Sequence, residues 1–443
     1  MKMPETPPSL ARLLEVVRED RIAAALAHGR PLVGDEYLHW DKLRHRQPPA
    51  DLSLQEWWLG IRFSRVGVAE ETPLVDKAGR PFSLVHVPSV RRRLHQIDQS
   101  FGRTGPPSDV QAMVDAHGRR YLLTNSLIEE AIRSSQLEGA STTRAKAKDM
   151  IRERRPPRDR SERMILNNFV AMERIEELAE HALTADTIFE LHRILVDGTL
   201  DDPTKAGVFR TRDDQVVVEL IHSIETAHVP PPAEELPARM ERLLAFANGT
   251  TPEDWLHPAL RSIILHFIVG FDHPFVDGNG RVARALYYWS MLRHGYPLAK
   301  FLSISRVLRE APARYARAYL HTETDDGDLT YFVDHQLDVL IRSIEALTDY
   351  VRQKISATRQ VESEIRARHD LNHRQVKLLE HALRHPGFEY TVRSHETSHR
   401  VVNNTARADL VDLAAKGILV KSRRGRAHVF LAPRDLPKRL ARP

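Results

Sequence analysis

The chain has 443 residues, enough for two or three domains and a sizeable core. With 42% hydrophobic and 28% charged residues it reads as an ordinary soluble globular chain, and no stretch reaches the apolar length of a membrane span. Net charge is only +5, and the lack of cysteine excludes disulfides and thiolate metal sites and fits a cytoplasmic protein. Met1 to Pro8 lacks an apolar core region and is not expected to act as a secretory signal.

Residues 1 to about 95 begin with helical spacing at Leu10, Leu13, Leu14 and Val17. A Trp-rich stretch with turns follows around Trp40, Trp57 and Trp58, then an extended run from Phe82 to Val87. No chemistry attaches to this extension; packing or partner docking is its simplest role. Residues 96 to about 345 read as almost wholly helical. Apolar residues recur at three and four over 122–137, 161–178, 186–196, 236–247, 257–271, 281–294 and 329–350. The exception is the β-branched run Val216 to Ile221, expected as a short strand or hairpin. His192, His257 and His266 read as satisfied histidines, because none has ligand spacing with carboxylate support. A polar helix over about 346–370 connects onward.

Residues 371–443 change character. They hold fifteen Lys/Arg against six Asp/Glu, a net of +9 that leaves about −4 for the rest of the chain. Helix, turn at Pro386-Gly387, strand at Glu389, two more helices and a basic hairpin follow in order. A basic tail on a mildly acidic body points to a negatively charged partner such as nucleic acid.

The densest chemistry lies at His273-Pro-Phe-Val-Asp-Gly-Asn-Gly-Arg-Val-Ala-Arg284. Gly278 and Gly280 permit a tight turn with inward N–H groups, and a helix starts directly after it, which together make an anion site. Arg281 and Arg284, three apart, share a helix side and can meet phosphate oxygens as bidentate forks. His273 has no serine or cysteine arranged as its nucleophile partner, so it suits a base acting on an incoming hydroxyl. Asp277 offers a hard oxygen for Mg²⁺. The set suits in-line attack on a phosphoryl or nucleotidyl group.

This run resembles the signature of Fic-domain proteins, His-x-Phe-x-(Asp/Glu)-Gly-Asn-Gly-Arg-x-x-Arg, at every fixed position. The resemblance implies a mainly α fold: a Fic-type helical core over 96–345 with a β-hairpin flap. It implies transfer of AMP from ATP to a Ser, Thr or Tyr hydroxyl of a target protein. In that reading His273 is the general base and Asp277 the Mg²⁺ ligand. Gly278, Asn279 and Gly280 form the anion hole, Arg281 meets the inner phosphates and Arg284 the γ-phosphate. Phe275 completes this ATP-binding set as an anchor of the loop. Phe209, Arg210, Val216, Val217 and Val218 fall on the target-docking flap, which would hold a peptide by strand addition. Leu302 to Ser305 and Tyr315 fit the helices after the motif.

Ser134-Ser-Gln-Leu-Glu138-Gly139 closes a helix expected over about 120–139. A carboxylate in the last helical turn costs about 0.3–1 kcal/mol against the helix dipole, so folding alone gives no reason for it. The segment resembles the family's inhibitory pattern, (Ser/Thr)-x-x-x-Glu-(Gly/Asn), which puts Ser134 and Glu138 on one face and implies that Glu138 pairs with Arg284 and blocks the γ-phosphate. The tail, 371–443, resembles a small α+β winged helix-turn-helix. Asn403, Asn404 and Arg407 would then face bases, and Arg423, Arg424 and Arg426 would lie on phosphates or in a minor groove. The expected function is thus a self-inhibited adenylyltransferase using ATP and Mg²⁺. A phosphodiesterase that removes AMP and a nucleotide-sensing DNA-binding regulator remain the alternatives, and a homodimer is compatible with the helical surfaces.

Overall fold

Helix dominates because long apolar-periodic runs are closed by local caps. The computed structural model describes residues 1–101, 119–220, 225–250, 256–367, 370–385, 387–424, 427–433 and 435–440. They fall into two units, Met1–Gly105 with Asn125–Ile344, and Pro106–Thr124 with Glu345–Pro443. No described helix is long and apolar enough to cross a membrane.

The first unit opens with α1 (Leu10–Val16), α2 (Glu19–His28), α3 (Trp40–Leu43) and α4 (Leu54–Val66). The Trp-rich stretch is therefore helical where turns were expected. Ser53 and Glu56 cap α4 reciprocally, each side chain accepting from the other's backbone N–H. α4 buries Trp57 and Trp58 in a cluster with Leu13, Val17 and Trp40. The hairpin β1 (Ala69–Val75) and β2 (Pro81–Val85) sets Phe82 edge-on against Phe267 and Phe271.

After α5 (Pro88–Phe101) come α6 (Arg119–Leu137), α7 (Arg144–Glu153), α8 (Arg160–Leu178) and α9 (Ala185–Val196). Asp159 and Thr184 cap α8 and α9 through their side chains. Ile128, Ala131 and Ile132 of α6 pack with Met150, Ile151 and Ile165. A small hairpin, β3 (Val218–Glu219) with β4 (Thr226–His228), precedes α10 (Leu236–Asn248). At the centre lie α11 (Pro258–Asp272) and α12 (Asn279–Arg293), both buried nearly all round; α11 is largely apolar on every face, while α12 also buries Asn279, Arg281, Arg284 and Ser290. Then come α13 (Ile304–Glu310), α14 (Pro312–Thr324) and α15 (Thr330–Ala367), a single helix where two were expected.

The second unit takes up the end of α15 and adds α16 (His373–Arg384), β5 (Glu389–Thr391), α17 (Val392–His399) and α18 (Asn403–Ala415). The hairpin β6 (Val420–Arg424) and β7 (Ala427–Leu431) and the short α19 (Leu436–Leu440) complete it. Its antiparallel sheet runs β5-β7-β6. Leu378, Leu379, Leu410, Leu413, Ile418 and Phe430 form its core.

Candidate active site

His273 ends α11 in a left-handed conformation, φ +48°, which few side chains adopt without strain. Its Nδ1 lies 3.1 Å from the Gly270 carbonyl, so Nδ1 carries the proton and Nε2 keeps its lone pair. Burial lowers its pKa to about 4, against the pull of the Gly270 carbonyl, so the imidazole is neutral at pH 7.

The loop after it is cross-braced by buried polar groups. The Asn279 amide accepts from the Phe275 N–H (2.9 Å) and donates to the Phe275 carbonyl (2.8 Å). Both ends of that side chain are thus committed to the loop, where the family resemblance placed it on phosphate. Phe275 is fully buried and stacks on His192 at 3.8 Å. His192 Nδ1 accepts from the Gly207 N–H and Nε2 donates to the Asp277 carbonyl at 2.9 Å. Arg210 donates to the carbonyls of His273 (2.8 Å), Pro231 (2.5 Å) and Asp272 (3.2 Å). Arg210, expected on a docking flap, is therefore turned inward; three carbonyls hold a buried guanidinium more tightly than a solvent-facing surface could. Behind it Arg239 pairs with Asp272 at 3.0 Å and donates to the Val75 and Asp76 carbonyls of the β1–β2 hairpin. Burial raises the Asp272 pKa to about 6 despite Arg239.

Two glycines then build the anion seat. Gly278 stands at φ +83°, and an added Cβ would lie 2.8 Å from Val196. Gly280 lies in the first turn of α12, where a Cβ would come within 2.3 Å of Glu138 Oε1. The Glu138 carboxylate thus rests directly over a helix N-terminus, the ordinary place for a bound anion. Arg284 donates to that Oε1 at 2.7 Å, to the Ser134 hydroxyl at 2.9 Å and to the Ser134 carbonyl at 3.2 Å. Burial opposes the Arg284 charge, but Glu138 outweighs it and the pKa is raised. Tyr315, also within the electrostatic reach of Arg284, shares a 2.7 Å hydrogen bond with His266 Nε2.

The remaining motif residues divide between rim and interior. Asp277 is partly exposed; one oxygen accepts from the Gly278 N–H at 2.6 Å and the other lies 3.4 Å from Arg281 and 3.8 Å from Arg160. Arg281 is buried and donates to the Leu195 carbonyl at 2.7 Å, while its Nε has no partner. Among the described residues no cluster of three or more His, Asp or Glu side chains could hold a metal. One exposed carboxylate beside phosphate oxygens is nevertheless what Mg²⁺ ordinarily takes from a protein. Phe209 stands edge-on to Phe189, and Val217 is exposed while Val216 and Val218 are half-buried. The strand there spans only Val218–Glu219, shorter than the β-branched run suggested. In the second unit Asn403, Asn404, Arg407 and Arg423 are exposed, whereas Arg426 lies outside the described residues.

Residues 182–291, from just before α9 through most of α12, match the model of the Fic/DOC family. The chain carries a Fic/DOC domain. Two curated relatives are both named Protein adenylyltransferase Fic. That of Nematostella vectensis is 35% identical over 116 residues, 26% of this chain and 24% of that protein. That of Drosophila yakuba is 29% identical over 187 residues, 41% of this chain and 33% of that protein. The chain thus spans about a quarter to a third of these relatives' length. The crystal structure of a Fic family protein from Desulfovibrio desulfuricans G20 gives a TM-score of 0.48 at 22% identity, covering 78% of this chain and 96% of that one. Ser134, Glu138 and the basic tail all lie outside the matched Fic/DOC residues.

His192, Arg210 and Arg239 were not legible as loop braces. The Asp277 carbonyl that His192 holds is 85 residues away, and the Asp272 that Arg239 pairs with is 33 away.

Proposed function

We propose that this protein is an adenylyltransferase that moves AMP from ATP to a hydroxyl of a target protein and is held off by its own Glu138. The observation that carries it is the Glu138 carboxylate lying over Gly280 with Arg284 bound to it, beside a neutral His273. A built anion seat filled by a side-chain anion is what a self-inhibited nucleotide site would contain. The relatives' name supplies the class of reaction.

In the reaction the target hydroxyl oxygen attacks the α-phosphorus of ATP. His273 Nε2 takes the hydroxyl proton as the new P–O bond forms, and the bond to pyrophosphate breaks. The α12 N-terminal amides at Gly278 to Gly280 steady charge developing on the α-phosphate. Arg284, once released from Glu138, neutralises the γ-phosphate, and Arg281 backs the inner phosphates from within. Asp277 would help hold Mg²⁺, which would offset phosphate charge when bound. A cytoplasmic setting suits a cysteine-free chain that uses ATP.

The test is incubation of the Glu138→Gly variant with ATP labelled on either the α- or the γ-phosphate, followed by isolation of the protein. Transfer of the α-label alone, lost when His273→Ala is added, is the expected result. Transfer of the γ-label would make the protein a kinase, and no transfer of either would reject group transfer.

The second unit supports an independent reading as a winged helix that touches nucleic acid. His428 of β7 is exposed, and its pKa is lowered first by the charge of Lys421, then by desolvation, Arg423 and Arg407; cations of both α18 and β6 acting on one imidazole support that reading. Asp409 of α18 is meanwhile held from inside by Arg374, Asn372 and His395. Binding to a DNA duplex should fall steeply with salt and weaken in Arg407→Ala; absence of a salt-dependent shift would reject it.

A further inference from the structure

Glu130 is 1% exposed, on the inner face of α6. It accepts hydrogen bonds from the Ser303 hydroxyl (2.8 Å), the Ser305 N–H (3.2 Å) and the Ser305 hydroxyl. Burial raises its pKa, opposed by those hydroxyls and by the charge of Arg284, which acts on it from a distance. A buried carboxylate with no cation in contact among the described residues is a costly way to fill a core position; a leucine would pack there at lower cost. What the carboxylate adds is register. Three donors fixed at the start of α13 accept only one placement of the helix that carries the acceptor.

That helix also carries the brake. Glu130 and Ser134 share one face of α6, and Glu138, four residues on, stands in the turn directly after Leu137. Opposite them on α12 stand Arg284 and Tyr288, likewise four apart. Arg284 holds Ser134 and Glu138, while Tyr288 lies within the electrostatic reach of Glu130 and accepts from the Ile304 N–H at 3.0 Å. By helical rise the backbones of Glu130 and Glu138 are roughly 12 Å apart, one carboxylate anchored in the core and the other over the anion seat.

We propose that Glu130 is a positioning residue that seats α6 on Ser303 and Ser305, and thereby sets how closely Glu138 covers Gly280. The inference rests on the reading of Glu138 as a brake. Loss of the anchor lets the helix end lift, Glu138 withdraws, and Arg284 becomes free for nucleotide.

The test compares wild type, Glu130→Ala, a Ser303→Ala and Ser305→Ala pair, Glu138→Gly, and Glu130→Ala combined with Glu138→Gly. Self-labelling from α-labelled ATP is read beside amide exchange over residues 126–138. Glu130→Ala and the serine pair should each raise labelling about fivefold and speed exchange in that segment. In the Glu138→Gly background Glu130→Ala should change nothing further, because it acts only through Glu138. Wild-type labelling in Glu130→Ala while Glu138→Gly labels strongly would overturn the proposal. So would a double variant far below Glu138→Gly, which would mean that Glu130 supports the site itself. Silence from Glu138→Gly would instead sink the brake reading. The seating of α6 is then judged by exchange alone: lost protection in Glu130→Ala supports it, and unchanged protection overturns it.

Discussion

From His273 to Gly278 the backbone groups meet fixed, buried partners: Val269, Arg210, Asn279 and His192 all reach into one turn. From Thr211 to Glu219 most side chains face solvent, and the strand that ends the stretch pairs over two residues. In the proposed function the first region would hold the reacting groups and the second would meet a target segment. Chemistry that depends on placing a lone pair and an anion seat needs geometry set before substrate arrives. A surface that must take a partner chain can stay adaptable until it does.

The largest effect should come from the fixed region. In the Glu138→Gly background, His273→Ala should lower labelling by about 10²–10⁴-fold, the usual weight of a proton acceptor. A smaller loss would place the base elsewhere. His192→Ala removes no reacting group, yet it leaves the Gly207 N–H and the Asp277 carbonyl without their buried partner. It should cost about 2–4 kcal/mol of unfolding free energy and slow labelling about tenfold, checked by denaturant titration and by kcat. A His192→Ala protein as active as its parent would show that the loop holds itself.

The pH response separates the same regions. His39, His192, His266, His273, His321 and His335 have pKa values lowered, chiefly by burial, to between about 2 and about 4. Each would take up a proton near 6.5 when unfolded, so the unfolded state binds more protons between about 4 and 6.5. Stability should thus be full above 6.5 and fall as pH drops toward 4; a Tm that holds from pH 7 to 5 would contradict this. His273 should stay an active base below pH 6, with the acid limb of labelling well under the ordinary histidine value. The smallest effect belongs to the exposed region. Val217→Asp should shift stability by under about 0.5 kcal/mol, yet weaken labelling of a protein target more than transfer of AMP to water or to small hydroxyl acceptors.

How much of this was legible follows the same divide. The twelve residues from His273 to Arg284 announce their chemistry because anion binding needs glycines, a helix start and arginines at fixed spacing. Ser134 and Glu138 stand out because a carboxylate at a helix C-terminus is locally unfavourable. Most of the helical core was readable from apolar periodicity, with ends close to those observed, although the last run continues to Ala367 and α7 did not stand out as a separate run. Three features were not. Ser53 and Glu56 did encode a capping box, and the Trp residues beside it obscured the helix it starts. The β-branched run from Val216 suggested a longer strand, but Arg212–Asp214 coil tightly before it and Gln215 is left-handed, which cuts pairing short. Arg210 reads as part of a docking flap and His192 as any satisfied histidine, since their partners are chiefly backbone groups brought close only by the fold.

The most direct measurement is the rate of label transfer from α-labelled ATP by wild type, Glu138→Gly, and Glu138→Gly combined with Arg284→Ala. If the carboxylate over Gly280 is a brake on Arg284, Glu138→Gly should exceed wild type by roughly ten- to hundredfold, and adding Arg284→Ala should return it to background. Equal rates for wild type and Glu138→Gly would contradict the account, and so would full activity without Arg284.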